Sequence, residues 1–374
     1  RPSIVNRWWG GVTEDNSFGT HDFLNMCELI GAEPYLAGNV GSGTVQELSD
    51  WQQYVNGKPN TSPMSKWRVE NGRTNPWNVN IWGVGNEAWG CGGNMKPEFY
   101  ANIYRQYATY MADWGDEKQK FRVASGANGG DYNWTEVLMR DIPHNMMEGV
   151  AQHHYTTVKW TEKGSATDFT EQQYFATMKS ALYMDELVKR HSTIMDKYDP
   201  RKHVALVVDE WGGWYEVEPG TNPGFLFQQN TIRDAMIAGL TLNIFNNHAE
   251  RVRMANLAQT VNVLQAVILT SKESMLLTPT YHVMEMYNVH QDATLIPVSL
   301  TSNDYVFGNE KLPAVSVSAS KNAAGVTHIS LVNIDASKPQ TVKIDLRGQK
   351  YSGVTGRILT SKKLQDYNSF DQPT

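Results

Sequence analysis

Cysteine is nearly absent from this chain of 374 residues, which holds only Cys27 and Cys91. Two cysteines cannot form the disulfide framework of a small secreted scaffold. They read as free thiols, which suits a reducing compartment. Long apolar runs are missing as well. No stretch of about 18 apolar residues occurs, which excludes a transmembrane helix at the level of sequence. Basic excess is missing too: 33 Lys and Arg stand against 39 Asp and Glu, a formal net charge of −6. An acidic chain with no basic run does not fit nucleic acid or an anionic membrane as its partner. No internal repeat, low-complexity linker or signal peptide is visible, and the chain opens on Arg1 rather than Met. That opening is read as a start other than the natural one. It leaves localisation unknown, with the cytoplasm favoured and the periplasm or secretion still open.

What the chain has is aromatic and strand-forming. It carries 12 Trp and 17 Tyr. Ring faces pack on the C–H faces of sugars, although a large core uses the same residues. Two stretches share one design. Asn80–Gly90 is an apolar run that ends in Asn86-Glu87 and then glycine; His203–Gly213 is an apolar run that ends in Asp209-Glu210. Each reads as a buried strand with an acid at its C-terminal end. Two carboxylates acting across a sugar are what glycoside hydrolysis needs.

Strands near 34, 80, 122, 149, 205 and 242 alternate with helices. The helices are expected from Thr20 (as cap), over 44–56, 97–114, 134–141, 170–196 and 225–240, and residues 57–77 read as loop. Such alternation means crossover units and a parallel sheet. Polar groups gathered at strand C-termini point to an α/β fold, a (β/α)8 TIM barrel, whose site lies at that face. Six strands are two short of eight, so the first two strand–helix units are expected to be absent from this chain. After residue 290 the pattern changes to short alternating strands at 295–300, 313–319, 326–332, 341–346 and 353–359. The expected organisation is therefore a catalytic barrel over 1–289, N-terminally incomplete, and an antiparallel β-sandwich over 290–374.

Within this frame Glu87 and Glu210 are the candidate catalytic pair, with Asn86 placed to meet a sugar hydroxyl. His153 and His154 are adjacent on one strand and point to opposite sides, so at most one faces the site. A zinc site needs further ligands at sensible spacing, and His248 supplies none. No metal and no cofactor is expected. Cys91 reads as a buried thiol, and Asp209 as a support for its neighbour.

Trp82–Met95, with Asn86-Glu87 at its centre, resembles the acid/base motif of family 51 glycoside hydrolases, the α-L-arabinofuranosidases. Asp209-Glu210-Trp211-Gly212 resembles their nucleophile motif. The similarity extends through Arg1-Pro2, Thr13–Gly19, Asn256–Asn262 and the C-terminal strands. It implies Glu87 as acid/base and Glu210 as nucleophile on strands 4 and 7 of the barrel, through a covalent arabinosyl-enzyme with net retention. It further implies Tyr155 against the nucleophile, and Gln259 and Trp9 as sugar contacts; of the two adjacent histidines, His153 is the candidate substrate contact. The implied activity is exo-acting release of terminal α-L-arabinofuranosyl residues from arabinoxylan, arabinan or their oligosaccharides. A homo-oligomer, trimer or hexamer, is implied in the same way. Alternatives are a retaining endo-β-1,4-glucanase or xylanase on the same barrel, and a carbohydrate-binding protein with a dead site.

Overall fold

The computed structural model describes residues 2–115, 120–348 and 352–373, so Arg1 of the Arg1-Pro2 pair lies outside the described residues. The chain opens with a small hairpin, β1 (Ile4–Val5) and β2 (Thr13–Glu14), and continues through α1 (Thr20–Ile30), β3 (Tyr35–Gly38), α2 (Val45–Asn56), α3 (Pro63–Glu70) and β4 (Ile81–Val84). There follow α4 (Pro97–Thr109), β5 (Phe121–Asn128), α5 (Tyr132–Asp141), β6 (Gly149–Thr156), α6 (Glu171–Tyr198), β7 (Ala205–Gly213), α7 (Ile232–Asn247) and β8 (Val252–Leu257). The six strands β3 to β8 form one sheet in sequence order. The printed pairings of β3 to β6 are parallel. This is the strand order of a TIM-like barrel, in which each strand pairs with the next through a helical crossover.

Two compact units make up the chain. One comprises Arg1–His153, Leu187–Asp209 and Glu250–Met254; the other comprises His154–Glu186, Glu210–Ala249 and Ala255–Thr374. In the first, Val123, Ala151, Ala205 and Val207 form a buried sheet core with Tyr35, Ile81, Phe121 and Met254 against it. The sheet is irregular between Ala124 and Ala127. Gly126 sits there with no room for a side chain, since a Cβ would lie 1.5 Å from the Ala151 carbonyl oxygen.

The second unit adds the hairpin β9 (Ile268–Ser271) and β10 (Ser274–Leu277), then α8 (Pro279–Tyr287), β11 (Thr294–Leu295), β12 (Asp304–Phe307), β13 (Glu310–Pro313), β14 (Val315–Lys321) and β15 (Thr327–Asn333). Strands β11, β14 and β15 make one antiparallel sheet, and β12 with β13 a second. Their apolar side is not closed on itself. Tyr305, Leu312, Val315 and Val332 share one core with Tyr174, Phe175 and Met178 of α6 and Ile237 and Leu240 of α7. No strand forms over 341–346 or 353–359, and the first expected strand shrinks to Thr294–Leu295. Residues 341–345 are exposed, as are 353–358. Without a neighbouring ladder or a buried face, alternation alone does not make a strand.

Three further expectations change. Leu240–Phe245 is not a strand but the second half of α7, and the sixth strand is β8. Thr231 caps that helix in a capping box with Asp234, and the helix is buried on nearly all sides. Asn246 and Asn247, at the end of that helix, donate to Ser318 Oγ (3.0 Å) and the Val317 carbonyl (2.9 Å) of β14. Residues 63–70 form α3, capped by Ser62 with Pro63 in its first turn. Helix α1 is capped by Gly19 rather than Thr20, with the Asp22 carboxylate accepting from the Gly19 N–H at 2.9 Å.

Candidate active site

Strand β4 delivers Glu87. The strand is buried from Trp82 to Gly85, and its end is clamped by Tyr100, whose hydroxyl donates to the Val84 carbonyl at 2.5 Å. The Ala88 N–H donates to Ser125 Oγ of β5 at 3.0 Å, and the Glu87 carbonyl accepts from Gly90 and Gly92. Gly92 must be glycine, because a Cβ there would lie 1.8 Å from the Asn86 carbonyl oxygen. Glu87 itself adopts φ +45°, in the left-handed region. Asn86 is exposed beside it.

The Glu87 carboxylate is held from two sides. His153 of β6 donates from Nδ1 to Oε1 at 2.9 Å, and Cys91 donates from Sγ to Oε2 at 3.3 Å. His153 is buried, and its Nε2 lies 3.1 Å from Asp209 Oδ1, an ion-pair contact outside hydrogen-bond geometry. Asp209 Oδ2 accepts from the Tyr35 hydroxyl at 2.9 Å. Burial, and after it the Asp209 charge, push the Tyr35 phenol well above its usual range, so it remains a neutral donor. Burial pushes the Glu87 carboxyl up, but the His153 bond, its charge and the Cys91 thiol together outweigh this and hold it below the ordinary range.

Cys91 is exposed, not the buried thiol expected from sequence, and neither Cys27 nor Cys91 is in a disulfide among the described residues. His153 and His154 divide as the strand alternation predicts. His154 turns away and donates to the Ser180 carbonyl at 3.2 Å.

The second unit presents Glu210 on β7. Tyr155 of β6 donates its hydroxyl to Glu210 Oε1 at 2.5 Å. The ring of Tyr155 packs edge-on against Trp214 (centroids 4.8 Å apart), and Trp214 against the exposed Trp160 (5.2 Å). Lys163 lies over both indoles. Behind Glu210 the strand is fixed by Gln265, whose Oε1 accepts from the Gly213 N–H at 2.7 Å.

Of the sequence candidates, the structure therefore joins Glu87 with His153, and Glu210 with Tyr155. Gln259 is exposed in the loop after β8 and makes no side-chain hydrogen bond among the described residues. Trp9 sits in the turn of the β1–β2 hairpin, its backbone N–H donating to Asn6 Oδ1 at 2.9 Å. Tyr35 and Trp214 were not singled out from sequence, and Cys91 was read only as a buried thiol. The position of Trp214, four residues past Glu210 on the same strand exit, was the one available signal for it.

A parallel sheet in TIM-like order with acids at the ends of β4 and along β7 defines a barrel enzyme of the glycosidase type. Two family profiles match the chain: "Alpha-L-arabinofuranosidase 1 domain" over residues 1–173 and "Alpha-L-arabinofuranosidase C-terminal domain" over 209–374. An intracellular exo-α-L-arabinofuranosidase of Bacteroides ovatus is 52% identical over 375 residues, spanning all of this chain and 72% of the relative. The crystal structure of a GH51 arabinofuranosidase from Xanthomonas axonopodis pv. citri superposes with TM-score 0.97 at 48% identity, covering all of this chain and 75% of that one. The arabinose complex of the Thermotoga maritima α-L-arabinofuranosidase gives TM-score 0.82 at 26% identity, with coverage of 100% and 76%. The chain belongs to glycoside hydrolase family 51, the α-L-arabinofuranosidases.

Proposed function

We propose that this chain is a retaining exo-α-L-arabinofuranosidase, with Glu210 as nucleophile and Glu87 as acid/base. The observation that carries the assignment of roles is the unlike setting of the two carboxylates. Glu210 accepts a short hydrogen bond from a neutral phenol, which favours the charged, nucleophilic form. Glu87 is bonded to an imidazole and a thiol, groups that can accompany a carboxyl as it loses and regains a proton.

In the first step Glu210 attacks the anomeric carbon of a terminal arabinofuranosyl unit. The bond to the leaving oxygen breaks as Glu87 protonates that oxygen. In the second step Glu87, now a carboxylate, takes a proton from water, which attacks the same carbon and releases Glu210. Two inversions give net retention. The His153 charge holds Glu87 ionised in the free protein, which matches the base of the second step.

Arabinose-bearing arabinoxylan, arabinan and their oligosaccharides are the proposed substrates. Asn86, Gln259 and Trp9 are the proposed further sugar contacts. A barrel over 1–289 with a β-domain over 290–374, a cytoplasmic location in line with the relative named intracellular, and assembly as a trimer or hexamer belong to the same reading. No helix of the described residues is long and apolar enough to cross a membrane. The test is hydrolysis of an aryl α-L-arabinofuranoside by the protein and by Glu210→Ala. Turnover is expected to vanish in the variant, and azide to restore it with an inverted glycosyl azide as product. Wild-type rates in the variant, or azide product of retained configuration, would sink the assignment.

A further inference from the structure

Cys91 stands where it can act on the chemistry. It lies on the turn that carries Glu87, is exposed, and aims its thiol at Oε2. The other oxygen, Oε1, is tied to His153. We propose that Cys91 is a positioning residue of the acid/base: with His153 it grips the two oxygens of Glu87, leaves Oε2 as the oxygen that exchanges the proton, and stabilises the carboxylate that proton transfer leaves behind. This rests on the reading of Glu87 as acid/base.

The groups around Glu87 make the division of labour between its oxygens unequal. His153 comes from β6, is only 5% exposed, and has Asp209 of β7 behind it, with Tyr35 of β3 behind Asp209. Glu210 is the next residue along β7. From β5 the contact to the turn is the uncharged Ser125 hydroxyl on the Ala88 N–H. Oε1 is thus engaged by a buried network of His153, Asp209 and Tyr35. Oε2 faces the exposed thiol.

When Oε2 holds the proton, it offers the thiol only a neutral acceptor. When that proton passes to the leaving oxygen and the glycosidic bond breaks, Oε2 becomes anionic and the S–H can donate to it. The bond to Cys91 therefore strengthens along the reaction, and an interaction of that kind raises the rate of the step rather than ground-state binding alone. A thiol is a weak donor, so the effect is modest.

The experiment compares wild type, Cys91→Ala and Cys91→Ser on phenyl and 2,4-dinitrophenyl α-L-arabinofuranosides across pH, with each variant repeated in a Glu87→Ala background. For Cys91→Ala, kcat/KM on the phenyl substrate is expected to fall about 3- to 10-fold, as for loss of a weak bond to a charged acceptor. Its alkaline limb is expected to move to higher pH, because the carboxylate has lost a donor. The dinitrophenyl substrate, which needs little protonation, keeps its kcat/KM. Cys91→Ser, which retains a donor, returns the phenyl rate and the limb toward wild type. In the Glu87→Ala background the Cys91 substitutions have no further effect. Equal losses on both substrates, an unmoved alkaline limb, or a Cys91→Ala loss that persists without Glu87 would each overturn the proposal. If Glu87→Ala alone fails to separate the two leaving groups, the fault lies with the acid/base assignment instead.

Discussion

Removing one oxygen atom from Tyr155 tests how Glu210, the proposed nucleophile, is managed. The Tyr155 hydroxyl donates to Glu210 Oε1 at 2.5 Å, and the ring is braced edge-on by Trp214, so Tyr155→Phe deletes the bond while leaving the packing. A hydrogen bond to a charged acceptor contributes roughly 1.5–3 kcal/mol. This is about 10- to 150-fold in rate if the whole of it bears on one step. The two steps feel it differently. In the first, Glu210 loses its charge as it forms the sugar ester, so the bond stabilises the starting carboxylate. In the second, Glu210 leaves as a carboxylate, and the bond assists departure. Tyr155→Phe should therefore slow deglycosylation most. With an activated aryl arabinofuranoside, kcat should fall by one to two orders of magnitude, KM should fall with it, and a burst of released phenol equal to the enzyme concentration should appear. Lower KM with lower kcat marks accumulation of the covalent intermediate. If kcat is unchanged, or falls while KM rises and no burst is seen, Tyr155 does not serve the nucleophile in this way.

Glu87→Ala should reduce kcat/KM far more for phenyl than for 2,4-dinitrophenyl arabinofuranoside; equal losses on the two would contradict an acid role. Arg251 is 3% exposed and donates to Asp199 Oδ2, the Val204 carbonyl and Asp196, so Arg251→Ala leaves buried acid without its partner. Loss of about 3–5 kcal/mol is expected in urea unfolding, and a loss under about 1 would refute the role. Asp234 is fully buried, and burial, opposed by the Arg233 charge, pushes its carboxyl up to about 6. The folded state then keeps a proton that the unfolded state sheds near 3.8, so this contribution is complete below that pH and disappears as pH rises through about 6. Asp234→Asn removes it, and the stability of wild type relative to the variant should decline between pH 4 and 6 by roughly 3 kcal/mol at most; a flat difference in denaturant titrations at pH 4, 5, 6 and 7 would refute it.

Much of the frame was legible because its signals are local. Thr44 and Glu47 form the capping box that their spacing predicts, and the apolar runs before Glu87 and Glu210 are the strands β4 and β7. The failures have a common cause, which is burial that hydrophobic period cannot report. Helix α7 is buried almost all round, so Leu240–Phe245 lost its helical stripe and resembled a strand. Helix α3 was hidden for the opposite reason. Its inward residues are Ser65 and Arg68, both 0% exposed, and the Arg68 guanidinium donates to the carbonyls of Tyr54, Gly57 and Thr74. The Ser62-Pro63 start was present, but no apolar stripe followed it. At the site, Asn86-Glu87 and Asp209-Glu210 could be recognised as motifs. The bonds from Cys91 and His153 to Glu87 depend on how a turn and a distant strand meet, which no spacing in the chain encodes.

The left-handed backbone at Glu87 carries a cost of its own. A residue with a Cβ in that conformation is less stable than glycine by about 1 kcal/mol. Every other part of the turn is built from residues that suit it, including Gly85 at φ +88° and Gly92 with no room for a methyl group. Only the position proposed to carry the acid departs from what the backbone prefers. A search for sturdier variants guided by stability alone would drift toward glycine here and would silence the protein as it hardened it. Thermal robustness and turnover are thus opposed at this one residue by geometry, and selection for catalysis has to be renewed against the fold's own preference.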